Sequence, residues 1–251
     1  RDQPRSRGLG DVYKRQMPLW TKESKLEDLV FFLRKILGQG NLLTLRQRES
    51  HTLVRHQLCI SKHQINCSRV MIDPKIIVAI DTYDYRKAIA LLDQLNPELC
   101  KVKIGSVVFN ALGKDFLRLV DQRGFKIFLD LKLHDIPNTV HETILGFEDC
   151  SIELLTIHLS GGKKMITSAM AAAKIIKTKI IGVSVLTSLN DEDTTALFKS
   201  TTSDQVVRLF KLASETGIDG IVCSPLELDL AANILSSEML KICLLYTSPS
   251  P

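Results

Sequence analysis

From Met71 onward the chain alternates short apolar runs with amphipathic stretches, and this alternation limits the possible folds more than any other feature. The runs at 75–80, 100–104, 126–130, 154–158, 179–186 and 220–223 read as buried strands, and a seventh begins at Leu240. Most start about 25 residues apart, which is room for one strand, one helix and two loops. The intervening stretches have helical spacing. Residues 85–95 align Ala88, Leu91, Leu92 and Leu95 on one face, and 113–123 align Phe116, Leu117 and Val120 ahead of a stop at Gly124. Two more helices are expected at 165–176, after Gly161-Gly162, and at 205–216, closed by Gly217.

Repeated βα units leave two architectures, an open doubly wound sheet or a closed barrel. No G-x-G-x-x-G follows the first run, so a dinucleotide-binding sheet has little support. Polar residues end five of the runs: Asp81, Lys103, Asp130 with Lys132, His158 and Thr187. A barrel gathers all its strand ends at one mouth and an open sheet does not. The expected fold is therefore α/β, a (β/α)8 TIM barrel. It is incomplete, because only six strands and the start of a seventh lie in the chain. The missing two would leave the strands at 75–80 and 220–223 without partners on one side.

The basic balance belongs to the front of the chain. Residues 1–70 hold fourteen Lys and Arg against six Asp and Glu, whereas 71–251 hold nineteen against twenty-two. Residues 1–16 and 244–251 have no apolar periodicity and read as linker-like foreign sequence. Within 17–70, Leu26, Leu29, Val30, Leu33 and Leu37 fall at helical spacing before Gly38 and Gly40. His51, His56 and His63 sit among basic residues, but their spacings share no helix face and no aromatics interleave the charges. A metal site and an amphipathic or nucleic-acid-binding arm stay open as alternatives, but 17–70 reads first as translated upstream sequence with Met71 the natural start. The domain proper is then 71–243. No run of 18 apolar residues occurs, so no membrane helix is expected. The six cysteines form no C-x-x-C pair, which fits reduced thiols in a cytoplasmic protein.

The chemistry concentrates in Asp130-Leu131-Lys132-Leu133-His134-Asp135-Ile136-Pro137-Asn138-Thr139, at the carboxyl end of a core strand. Asp130 and Lys132 are two apart, so on extended backbone both point the same way. Asp135 follows in a loop that Pro137 stiffens. Burying alternating carboxylates and ammoniums costs too much for a structural role to be the simplest account, although a surface ion-pair cluster is the alternative.

This stretch resembles the D-x-K-x-x-D-I-P-x-T signature of orotidine 5′-phosphate decarboxylases. The similarity extends to Ile77–Asp81, Lys101–Gly105, His158–Gly162 and Val185–Ser188, and covers about residues 72–243. Sister sugar-phosphate decarboxylases share D-x-K-x-x-D but depart from Ile-Pro-x-Thr, and they use magnesium. The resemblance implies decarboxylation of orotidine 5′-monophosphate to UMP with no metal and no organic cofactor. By the same resemblance, Lys132 is the proton donor, Asp130 lies beside the departing carboxylate, and Lys103 pairs with Asp130 and the ribose. Asp81 binds the ribose, and Thr187 holds the pyrimidine beside a polar lid loop at 188–204. Asp135, Ile136 and Thr139 reach into a neighbouring subunit's site, which implies a homodimer; no nucleic-acid or membrane partner is expected. The family's phosphate grip, a Gly-Ile-Arg-like segment and a later Gly-Arg pair, is not found, so truncation at the C-terminus is expected. Three residues have plainer readings: Asp81 as a helix cap, His158 as a core histidine and Thr187 as a strand-end threonine.

Overall fold

The computed structural model describes residues 42–46 and 73–246. The apolar runs form parallel strands: β1 Leu42–Arg46, β2 Ile76–Ile80, β3 Cys100–Gly105, β4 Ile127–Leu133, β5 Ile152–His158, β6 Lys179–Val183, β7 Gly220–Cys223 and β8 Leu240–Tyr246. They pair in sequence order and β8 returns to β1, closing a barrel. Strands β2–β8, alternating with helices, make the curled parallel sheet expected of the partial barrel. The closing stave is β1, whose residues 43–46 pair with 76–79 on one side while 42–46 pair with 242–246 on the other.

Closure changes the expectation about edges. Strand β2 is partnered by β1, and β7 is partnered by β8, so the two strands expected to lack neighbours have them. Strand β8 also continues through 244–246, three residues beyond the boundary read from the sequence. The 26–37 helical pattern, the His51, His56 and His63 group, residues 1–16 and residues 247–251 lie outside the described residues.

Period-two alternation explains the packing. One set of strand residues, among them Val78, Val102, Ile104, Ile127, Leu129, Leu155, Ile157 and Ile180, faces the helical shell and packs with Leu92, Phe116, Leu117, Ile144, Ile166 and Phe210. The other set points into the barrel, where Ile77, Phe128, Leu154, Ile181, Val183, Val222 and Ile242 form a separate cluster. Burying one such side chain contributes about 1.5–3 kcal/mol. Lys101 shares the inward parity, and its ammonium pairs with Asp73 at 3.1 Å and Glu153 at 2.7 Å near the amino-terminal end of the ring.

The shell helices are α1 Tyr85–Leu92, α2 Ser106–Gln122, α3 Pro137–Leu145, α4 Gly162–Ile176, α5 Asp191–Phe198, α6 Thr202–Thr216 and α7 Leu228–Ile234. Asp84 caps α1 by accepting from the N–H groups of Arg86 and Lys87 at 2.8 and 3.2 Å. Helix α2 starts seven residues before the Gly113 expected to open it; Gly113 (φ 65°) is a break within it, a conformation open to glycine. The stretch at 188–204 is no open loop. It contains α5, whose first turn carries a reciprocal Asn190–Asp193 cap, and it enters α6 through a Thr201 cap. The loop reading is corrected accordingly: local capping supplies the hydrogen bonds that a free loop would lack.

Candidate active site

The carboxyl ends of β2, β3, β4 and β6 open on a cavity of about 350 Å³. Asp81, Lys103, Asp130 and Lys132 line its charged side, and Val183, Val185, Leu186 and Val222 its apolar side. Thr187 and Glu227 also border it. A cavity with one charged wall and one apolar wall suits a partly polar ligand.

Asp130 is the centre of the charged wall. It is 7% exposed, and its two oxygens take different partners. The Lys103 ammonium donates to Oδ2 at 3.2 Å, and the Lys132 ammonium donates to Oδ1 at 2.8 Å. The Thr156 hydroxyl also donates to Oδ1, at 3.0 Å. Burial on its own pushes the Asp130 carboxyl up. The Lys103 and Lys132 charges, with the bonds from Lys132 and Thr156, outweigh burial and hold it below its usual range. A buried anion between two cations is thus kept ionised, with one positive charge in excess.

Asp130 and Lys132 converge as expected, but not by regular pleating. Between Leu129 and Leu133 the β4–β5 register shifts: Leu129 pairs with Leu155 and Leu133 with Ile157. Residues 130–132 therefore face Thr156 alone, as a bulge. Lys132 takes φ 52°, a left-handed conformation uncommon outside glycine. Its backbone N–H, turned out of the ladder, donates to the Thr156 hydroxyl at 2.8 Å.

The remaining expected residues divide. Asp81, Lys103 and Thr187 border the cavity with Asp130 and Lys132. Asp135, Ile136 and Thr139 do not join them within one chain. Asp135 is exposed and accepts from the Ile136 N–H at 2.7 Å, Ile136 is 66% exposed, and Thr139 is exposed on α3. His158 is half-buried, with its ring 5.3 Å from that of His134, and burial followed by the nearby His134 and Lys132 charges pushes its pKa down.

Two residues escaped the sequence reading. Thr156 is the lone hydroxyl in the run Leu154–Ile157, and its inward parity was the signal. Glu227 borders the cavity, accepts from the Ser224 N–H at 2.8 Å, and is pushed up by burial against the opposing Ser224 bonds. The Ser224-x-x-Glu227 spacing is a capping box and could have marked it. Among the described residues, no group of three or more His, Cys, Asp or Glu side chains is placed to hold a metal ion.

An incomplete (β/α)8 barrel with ion-paired lysines and a buried aspartate over a cavity at its carboxyl rim is the arrangement of a barrel enzyme. The comparisons with known proteins specify which. The model of the orotidine 5′-phosphate decarboxylase / HUMPS family matches residues 74–245. The orotidine 5′-phosphate decarboxylase of Actinobacillus succinogenes is 38% identical over 170 residues, which is 66% of this chain and 73% of the relative. That of Vibrio cholerae is 39% identical over 176 residues, covering 67% and 74%. Among solved structures, the orotidine 5′-phosphate decarboxylase of Lactobacillus acidophilus superposes with a TM-score of 0.61 at 31% identity, over 68% of this chain and 90% of that one. An uncharacterized protein from Geobacillus kaustophilus, 24% identical with a TM-score of 0.64 over 68% and 89%, shares the fold. The chain belongs to the orotidine 5′-phosphate decarboxylase / HUMPS family, and the curated relatives above are named orotidine 5′-phosphate decarboxylase.

Proposed function

We propose that this chain converts orotidine 5′-monophosphate to UMP and CO2, with Lys132 donating the proton that replaces the lost carboxylate. The observation that carries this reading is the buried Asp130 carboxylate clamped between Lys103 and Lys132 at the cavity wall. A substrate carboxylate placed beside Asp130 meets a second negative charge, and that repulsion ends when neutral CO2 forms. The electron pair left on the pyrimidine C6 has no conjugated sink, so a fixed ammonium stabilises the transition state more than the substrate. Transfer of one proton from the Lys132 ammonium to C6 completes UMP, and water restores the lysine. The ammonium supplies both charge and proton, so the reaction as read uses neither metal nor organic cofactor.

Asp81 and Lys103 face the ribose in this reading and Thr187 the pyrimidine. Asp135, Ile136 and Thr139, exposed in the segment that follows β4, complete the site of a second copy in a homodimer working in the cytoplasm. Their exposure within one chain supports that role.

The test is UMP formation from orotidine 5′-monophosphate by this polypeptide in the presence of a chelator. Lys132→Ala is expected to lower turnover by about 10³-fold, equivalent to ~4 kcal/mol of lost electrostatic and proton-transfer stabilisation. A Lys132→Ala chain with near-normal turnover would overturn the assignment. For the shared site, mixing inactive Lys132→Ala and Asp135→Ala chains should restore part of the activity, because one site of each hybrid then carries neither change.

A further inference from the structure

We infer that Thr156 is a positioning residue that aims the Lys132 ammonium, by bonding the backbone of Lys132 and the carboxylate of Asp130 through one hydroxyl. The kinetic part of this inference rests on the decarboxylase reading above; the geometric part does not.

Its basis is a small closed circuit. Thr156 is 0% exposed and points into the barrel at the level where β4 bulges. A hydroxyl has one proton to give. With the Lys132 N–H already donating to the oxygen at 2.8 Å, that proton goes to Asp130 Oδ1 at 3.0 Å. The Lys132 side chain then returns to the same Oδ1 at 2.8 Å. Backbone, hydroxyl, carboxylate and ammonium thus fix one another, and every bond in the circuit passes through β4 or Thr156.

The left-handed backbone of Lys132 makes this support necessary. A non-glycine residue at φ 52° persists where its surroundings over-determine it. The bulge takes the Lys132 N–H out of the β4–β5 ladder, so without the Thr156 oxygen that donor has no partner in the circuit. Lys103 approaches Asp130 from the other side, from β3, and bonds Oδ2, so it does not duplicate the role. The other charged or titratable groups near the circuit are His158 on β5, whose ionisation senses Asp130 and Lys132, His134 after β4, and Asp81 on the same cavity wall. The Lys132 backbone N–H itself is given to Thr156.

The experiment compares Thr156→Val, which keeps the shape and removes the hydroxyl, with Thr156→Ser, which keeps the hydroxyl, in the full chain. Thr156→Val should lower kcat about 10- to 100-fold with KM changed less than about threefold, as expected when a group that orients a reacting side chain is removed. Thr156→Ser should stay within about threefold of the parent in both. Independently of turnover, the Asp130 carboxyl followed by carbon NMR should titrate at higher pH in Thr156→Val than in the parent or Thr156→Ser, because a donor to the ionised form is gone. In the unmodified chain, the Lys132 amide should be protected from hydrogen exchange; this holds even if Thr156→Val does not fold. An unprotected Lys132 amide, an Asp130 titration indifferent to the hydroxyl, or a Thr156→Ser chain as impaired as Thr156→Val would each overturn the inference. A parent chain that releases no CO2 would instead sink the decarboxylase reading, leaving the amide and carboxyl measurements to decide the role of Thr156.

Discussion

Replacing Asp130 by Asn tests the electrostatic account most directly, because it keeps the shape and removes one buried charge. At 2.8 and 3.2 Å and an effective dielectric constant near 20, each lysine–aspartate attraction is roughly 5 kcal/mol before offsets. Desolvating the carboxylate takes back several kcal/mol, and breaking a buried pair typically costs 3–5 kcal/mol overall. The lower end applies here, since the Lys132 side chain is 32% exposed and water screens it once its partner is neutral. Asp130→Asn is therefore expected to lose about 3 kcal/mol, a drop in the urea midpoint of about 1.5 M for an m-value near 2 kcal/mol/M.

The pH dependence of that gap supplies the discriminating measurement. The folded carboxyl of Asp130 lies below its unfolded value of about 3.9, so its stabilisation is complete above that value. It is lost as pH falls through the folded value. Urea midpoints of parent and variant should thus stay apart near neutrality and converge in acid. A variant as stable as the parent near neutrality, or a gap that does not narrow in acid, would refute the claim that Asp130 is held ionised by its two lysines.

Two further perturbations probe the frame around the site. Gly182 on β6 has no room for a methyl group, since a Cβ there would lie 2.5 Å from Leu159 Cδ2 in the buried shell; Gly182→Ala should cost about 1–3 kcal/mol by thermal unfolding, less when Leu159→Ala is added. A chain beginning at Asp73 lacks β1, and the backbone groups of β2 and β8 that faced it lose their ladder; a lower urea midpoint and concentration-dependent association are expected, and an unchanged midpoint would show that β1 adds nothing to the ring.

The barrel was legible because strands buried on both faces read as continuous apolar runs while helices buried on one face carry a 3.6-residue period. The inward column of each strand was not written in those runs and comes from the fold, in which Lys103 and Asp130 follow the parity of Lys101 and Phe128. Strand β1 was not legible either. Five residues, LLTLR, set in a basic stretch just after the 26–37 helical pattern, carry too little periodicity to distinguish a stave from a short apolar patch. The 188–204 segment was misread for the opposite reason. Its polar composition suggested a loop, whereas Asn190-x-x-Asp193 and Thr201-x-x-Asp204 are helix-starting pairs.

The charged wall shows where strand periodicity stops being sufficient. Spacing of two places Asp130 and Lys132 on one side of an extended strand, and they do meet, yet the backbone between them is not extended at Lys132. Regular pleating would have set the lysine one ladder step further along β4, with its N–H committed to β5. The bulge frees that N–H, brings the ammonium back onto the carboxylate two residues before it, and hands the freed donor to a threonine on the neighbouring strand. The contact that decides the aim of the lysine is therefore between residues 24 positions apart, on two strands whose local patterns are each ordinary. No single segment encodes it; it exists only once β4 and β5 are in register. For the same reason Lys132→Ala and Thr156→Val are different experiments: one removes the ammonium, and the other leaves it present but unaimed.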